Sequence, residues 1–313
     1  MILTDYFYST HDATWDIALQ CGVKHGTIRL PEDDSFDLSS LTHLKDVVEN
    51  FNSAGITPLV VEPLPNKLHD HIKKGDSLRD SSIEIFINLI KNLKEVGITT
   101  ICFNFMAHYG WTRTTFNLPE RGGAKVTGFD LHDFKADDYS IAHKELWDNY
   151  FYFVKAVIPY AEQYGIRLAL HPDDPPLGSL GNVARILTSL DAINRAVRTI
   201  DSPNLGVTFC QACYYLMGEN LEDAITKLAD KIFFIHFRNV RGKKTCFQET
   251  FHDNGDINMA SIMKAYIREG IDVPIRVDHV PTMANEKITV PGYDAFGRMF
   301  AIGYLKGILD SIS

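Results

Sequence analysis

Three features of the sequence predict an α/β fold, a (β/α)8 TIM barrel built as a single domain over residues 1–313. An amphipathic helix, then Gly-Ile, then a short apolar strand recurs as "NSAGITPLVVEP", "KEVGITTICFNF", "EQYGIRLALHP" and "REGIDVPIRVDH". Eight strand segments alternate with eight helix segments, the count of a closed parallel barrel with right-handed crossovers. No glycine-rich phosphate fingerprint follows an early strand, which disfavours an open doubly wound sheet.

Taken in order, the first strand is expected at 2–8 and a helix at 13–20. "QCGVKHGTIRL", a looser copy of the repeat, leads into strand two at 25–31. A helix at 40–54 ends at Gly55 before strand three at 57–63. A helix at 78–96 ends at Gly97 before strand four at 99–106. A helix at 141–164 ends at Gly165 before strand five at 167–172. Helices at 182–199 and 221–230 precede strand six at 205–210 and strand seven at 232–240. A helix at 257–269 ends at Gly270 before strand eight at 274–279, and a last helix takes 293–312. The four glycines suit the left-handed position that terminates a helix.

Composition excludes several classes. The chain is 45% hydrophobic and 23% charged, ordinary for a soluble globular protein. A net charge of −9 offers no basic footprint, so neither nucleic acid nor an anionic membrane is an expected partner. "MILTDYFYSTHD" has no basic n-region or apolar h-region, so no secretory signal is expected. "AFGRMFAIGYLKGIL" is interrupted by Arg298 and Lys306 and falls short of a membrane span. Five cysteines in so large a chain point to reduced thiols and a cytoplasmic location. A homodimer is one assembly open to the chain, but nothing in the sequence fixes the oligomer.

In a (β/α)8 barrel the active site lies at the C-terminal ends of the strands. Those ends carry Glu62, Asn104, His171, Cys210, His236 with Arg238, and Asp278 with His279. One such residue is explained by packing or a local hydrogen bond; the set, all facing one mouth, is not. His171, Cys210, His236 and Asp278 make a ligand set for one divalent transition ion, since imidazole, thiolate and carboxylate suit Zn, Fe(II), Co or Mn. "FCQAC" also reads as a C-x-x-C, but with no second C-x-x-C a zinc knuckle is disfavoured, and Cys213 is read as a loop neighbour. In "LALHPDDPP" the apolar residues pack the barrel and His171 turns to the metal. Pro172, Pro175 and Pro176 stiffen the loop, leaving Asp173 and Asp174 to orient the histidine or a substrate hydroxyl.

These residues resemble the mannonate dehydratase family. "HPDDPP", "CFNFM", "WTRT", "GVTFC", "HFRNV", "FHDNGDINM" and "PGYDAFGR" fall in that family's order and spacing, from about residue 50 to the C-terminus. The resemblance implies a metal-dependent lyase that removes water from D-mannonate to give 2-keto-3-deoxygluconate in hexuronate breakdown. It implies metal ligation by His171, Cys210, His236 and Asp278, with Mn2+ or Fe2+ the expected ion, and acid–base roles for His279 and Tyr293. Two departures stand out: "RVDHV" places Val277 and Val280 where the family has proline and glycine, and Cys213 replaces a small polar loop residue.

Dehydrating a sugar acid needs a Lewis acid for the developing enediolate charge, a base for the C2 proton and an acid for the C3 hydroxyl. Asp278 would be shared between the metal and the acid–base network. Arg238, Arg113 and Asn104 are candidates to grip carboxylate or hydroxyls. Trp111 is a candidate wall, and His252 and Glu249 follow strand seven near the mouth. Competing readings are a sugar isomerase or epimerase on the same barrel and a non-catalytic sugar-acid-binding protein. A metal-dependent nuclease is disfavoured by the acidic charge.

Overall fold

The computed structural model describes residues 1–288 and 290–312 and shows a closed barrel of eight parallel strands. We label them β1 (Ile2–Tyr8), β2 (His25–Arg29), β3 (Thr57–Val61), β4 (Thr100–Asn104), β5 (Arg167–His171), β6 (Leu205–Cys210), β7 (Ile232–Phe237) and β8 (Pro274–Val277). Each pairs with its neighbours in sequence, and β1 closes the ring against β8 through Leu3 opposite Ile275.

Side chains on a strand alternate between its two faces, and this assigns every site residue. On β4, Ile101 and Phe103 pack outward on the helices, so Cys102 and Asn104 point inward. The same parity sends Leu168 and Leu170 out but Ala169 and His171 in. It sends Val207 and Phe209 out but Thr208 and Cys210 in. On β7, Ile235 and Phe237 meet the helices while Phe234 and His236 face the axis, and on β8 Arg276 lies between outward Ile275 and Val277. The barrel floor is filled by Val60, Cys102, Ala169 and Phe234, so the interior is a packed core with a polar rim.

The helical layer follows the expected positions except in three places. The helix expected at 182–199 begins only at Leu190, where Ser189 accepts from the Ala192 amide at 3.2 Å. The residues before it form a short ladder, Ser179–Leu180 against Val183–Ala184. Two helices were not anticipated, Asn66–Lys74 and Gln211–Met217. The largest difference is a four-stranded antiparallel sheet over the mouth, made from Thr115–Pro119, Lys125–Asp130, Cys246–Glu249 and Val240–Lys243. Strand seven therefore stops at Phe237; of the predicted continuation to 240, Arg238 and Asn239 lie in no strand and Val240 begins a strand of this cover.

The C-terminal helix (Ala295–Ile312) locks the ring shut. Arg298 donates from Nε to both Asp5 carboxylate oxygens at 3.2 and 3.1 Å and from a second nitrogen to the Tyr6 carbonyl at 2.6 Å. Both partners are buried. Gly297 allows this approach, because a Cβ there would lie 2.1 Å from the Pro281 carbonyl. Removing one member of a buried ion pair strands the other charge. Asp5→Ala is expected to lower unfolding free energy by about 3–5 kcal/mol, read from the urea midpoint. An unchanged midpoint would show that the pair does not hold the closure.

Candidate active site

His171, Cys210 and His236 stand on adjacent strands β5, β6 and β7, and one ligand atom from each lies within 4.8 Å of the others. His171 Nδ1 donates to the Pro172 carbonyl at 2.7 Å, which leaves Nε2 bare and aimed into the mouth. Neither ring nitrogen of buried His236 makes an aligned hydrogen bond. Glu62 Oε1 lies 2.9 Å from its Nε2 and Asp278 Oδ2 lies 3.4 Å from its Nδ1. Asp278 is thus beside the trio, with its other oxygen taking Arg276 at 2.7 Å and the Tyr293 hydroxyl at 3.1 Å.

A second trio, Glu62, Cys102 and His236, shares the same histidine. Cys102 donates to Glu62 at 3.1 Å, and burial, then the Glu62 charge, pushes its thiol up to about 12. A protonated thiol is a poor ligand. Cys210 is the opposite case: burial would raise it, but the Cys213 thiol beside it, the Arg238 charge and both histidines hold it well below the usual thiol range. The thiolate lies on the side of His171 and His236.

Around these ligands runs a buried ionic network. Arg113 donates to both oxygens of Asp174 at 2.9 and 3.0 Å and to Glu249 at 2.6 Å. Arg238 reaches the same two carboxylates at 2.6 to 2.9 Å. Arg276 joins Glu62 and Asp278, each at 2.7 Å. Burial works against each charge, but the facing guanidiniums more than offset it for the acids. Glu62, Asp174 and Asp278 lie well below the usual carboxylate range, and Glu249 falls to about 2. Four buried carboxylates and a Cys210 thiolate therefore face three buried guanidiniums, and against burial and Arg276 the Glu62 and Asp278 charges hold His236 well above the usual imidazole range. A divalent cation that displaced the His236 proton would take over that balancing charge, so the donor set fits one such ion.

His279 answers a geometric difficulty. On a continuing strand it would point away from Asp278. Instead β8 ends at Val277 and His279 adopts φ +44°, a left-handed conformation uncommon outside glycine, which returns its ring to the mouth. There its Nδ1 lies 3.1 Å from Glu249 Oε1, and its ring packs edge-on against Trp111 and Tyr293. Burial, then the Asp278 charge, holds the Tyr293 phenol well above its ordinary range, so it stands as a proton donor. Val280 packs against Gly297 of the C-terminal helix and does not line the mouth.

Asn104, Trp111, His171, Arg238, His236, Asp278, His279 and Tyr293 all border one cavity of about 290 Å³. Three other expected residues are not brought there. Asp173 is sealed behind the wall, accepting from the Leu187 amide at 2.7 Å with Arg185 at 3.6 Å. His252 is spent on the Phe237 carbonyl at 2.7 Å and stacks on Phe237; burial holds its pKa down to about 4. Arg113 has no exposed side-chain surface, and its terminal nitrogens serve Asp174 and Glu249. Asp174, expected to be free, is the hub of the network. Reasoning from strand ends assigned no role to Arg276, Tyr6 or Arg29. Arg276 lies two residues before Asp278 on the same face, a signal that parity alone could have supplied.

Comparisons with known proteins agree with this geometry. A family model described as D-mannonate dehydratase (UxuA) matches residues 16–140 and 132–313. The mannonate dehydratase of Streptococcus equi subsp. zooepidemicus is 33% identical, over 93% of this chain and 87% of that one. Mannonate dehydratase 2 of Halalkalibacterium halodurans is 32% identical, over 84% and 85%. A crystal structure of mannonate dehydratase from Streptococcus suis serotype 2 matches with a TM-score of 0.91 at 27% identity, covering 100% of this chain and 93% of that one. D-psicose 3-epimerase from Clostridium cellulolyticum H10 matches at a TM-score of 0.64 and 13% identity, a likeness of fold alone. On its sequence, its barrel and the residues at its mouth, this chain belongs to the mannonate dehydratase family of hydro-lyases.

Proposed function

We propose that the protein dehydrates D-mannonate to 2-keto-3-deoxygluconate, a step in hexuronate breakdown, using one Mn2+ or Fe2+ held by His171, Cys210, His236 and Asp278. The observation that carries this reading is the His171–Cys210–His236 trio beside two acid–base pairs, His279 with Glu249 and Tyr293 with Asp278. When bound, the ion supplies Lewis acidity that stabilises negative charge developing on the substrate.

The side chains divide the proton work. His279 donates from Nδ1 to Glu249, so its Nε2 is the atom that takes the C2 proton, and the Glu249 charge stabilises the imidazolium formed. Tyr293, held protonated, delivers its proton to the departing C3 hydroxyl. Asp278 keeps that phenol in place through the 3.1 Å hydrogen bond. Asn104 is the neutral donor for a substrate hydroxyl, and Trp111 forms a wall over the sugar carbons. Arg238 lines the floor with its N–H groups committed to Asp174 and Glu249, so the exposed grip for the carboxylate falls to Arg29 at the end of β2. No described helix is long and apolar enough to cross a membrane. With five free cysteines, we place the protein in the cytoplasm.

Incubation of metal-loaded protein with a panel of hexonates is expected to release 2-keto acid fastest from D-mannonate. Turnover of neutral aldoses or ketoses, with no keto-deoxy acid from any hexonate, would make the protein an isomerase instead. Removing the metal with a chelator should abolish release, and Mn2+ or Fe2+ should restore it. Full activity in protein shown by elemental analysis to be metal-free would overturn the ligand assignment.

His279→Ala and Tyr293→Phe are each expected to lower turnover by roughly 10²-fold or more while metal content and substrate affinity persist. Metal and substrate titrations on each variant separate this from a binding defect. Near-normal turnover in either would make that residue structural.

A further inference from the structure

Cys213, the second cysteine of the C-x-x-C at 210–213, has no part in the proposed reaction. Cys210 ends β6 as the N-cap of the helix Gln211–Met217, and Cys213 lies in its first turn. Residues three apart at a helix start lie about one turn from each other, and the Cys213 thiol is within hydrogen-bond reach of Cys210, so the two sulfurs are neighbours. Both sulfurs also meet one atom: Arg238 Nη1 lies 3.5 Å from Cys210 Sγ and 3.7 Å from Cys213 Sγ.

The other cysteines are differently placed. Cys102 is engaged with Glu62 and Thr208, each at 3.1 Å, while Cys246 is exposed and 3.4 Å from Asp130. Cys21 ends the first helix, Ala13–Gln20. Cys210 and Cys213 are both fully buried in one apolar cluster, shielded from other proteins' thiols. Neither sulfur lines the mouth, but Arg238, His171 and His236, which stand next to Cys210, all do, so one layer of side chains separates a small molecule in the mouth from Cys210.

We propose that Cys210 and Cys213 form a reversible redox pair, in which a hydroperoxide links them as a disulfide and so withdraws Cys210 from the metal. The inference rests on the ligand role given to Cys210 above, and the metal-free protein is the form that reacts. The Cys210 sulfur attacks a peroxide oxygen and the O–O bond breaks. The sulfur is oxidised to a sulfenic acid, and the departing hydroxide takes a proton from solvent and leaves as water. The Cys213 sulfur then attacks the sulfenic sulfur, the S–O bond breaks, and a second water carries away the Cys213 proton. Two thiols are oxidised and one peroxide is reduced. Without a partner, a sulfenic acid proceeds to sulfinic acid, which thiols do not reverse. Cys213 thus holds the metal ligand at a recoverable stage.

The test treats metal-stripped protein with hydrogen peroxide, then maps peptides without reduction and measures Co2+ uptake. The expected product is a single peptide carrying both cysteines, lighter by two hydrogens, from protein that takes up no Co2+ until dithiothreitol is added. In Cys213→Ala the same treatment should leave Cys210 as sulfinic acid, with Co2+ uptake not restored by dithiothreitol. Wild-type protein with the two cysteines unlinked, or Cys213→Ala recovering as fully as wild type, would overturn the proposal. If untreated reduced protein takes up no Co2+, the ligand assignment fails, while the peptide map still decides the disulfide. Should Cys213→Ala not fold, the wild-type map and Cys213→Ser decide in its place.

Discussion

The structure depends on the charge balance buried at the C-terminal rim of the barrel. Glu62, Asp174, Glu249 and Asp278 are fixed against Arg113, Arg238 and Arg276, all with almost no exposed surface. Charges taken out of water are costly unless each is matched in geometry and sign. Here every guanidinium bridges two carboxylates, which come from separate strands and loops. The network cannot form until the ring has closed and the loops after β4, β5 and β7 are in place. The same network leaves a negative excess where the cysteine and histidines converge. Folding and metal affinity are therefore two consequences of one arrangement.

That arrangement also divides labour among the arginines. Those buried at the rim are structural: each bridges two protein carboxylates before any substrate arrives. Arg29 is partly open, its guanidinium shared with Glu32 and, at 3.4 Å, the Tyr6 hydroxyl. A substrate carboxylate competes more easily for a solvated arginine than for one in a sealed pair. The backbone at His279 makes the complementary concession: a left-handed histidine costs of order 1–3 kcal/mol. Its Glu249 contact and the packing of Trp111 and Tyr293 stabilise the ring there.

The barrel was legible in the sequence because its signals are local. Glycine-terminated helices mark the entries to strands three, four, five and eight, and the strand ends put His171, Cys210 and His236 at one mouth. The antiparallel cover was not legible, because its ladder joins Phe129 to Phe247, segments far apart in sequence and without helix periodicity. For the same reason the roles of Arg113, Asp173 and His252 were misjudged. Each looks like a free polar group near the mouth until the cover and the 183–187 segment supply its partners. The position of His279 could not be read from alternation, since alternation gives the wrong face. Val280 packs against Gly297 on the far side of the strand end and does not line the mouth.

The claim on which the rest turns is that a Cys210 thiolate binds the divalent ion that neutralises this buried network. The most direct measurement is the optical spectrum of the Co2+-loaded protein beside that of its Cys210→Ser variant. A thiolate-to-cobalt charge-transfer band in the near ultraviolet, present in the wild type and lost in the variant, is the predicted result. Cobalt bound at one ion per chain without that band, or with the band unchanged in Cys210→Ser, would contradict it.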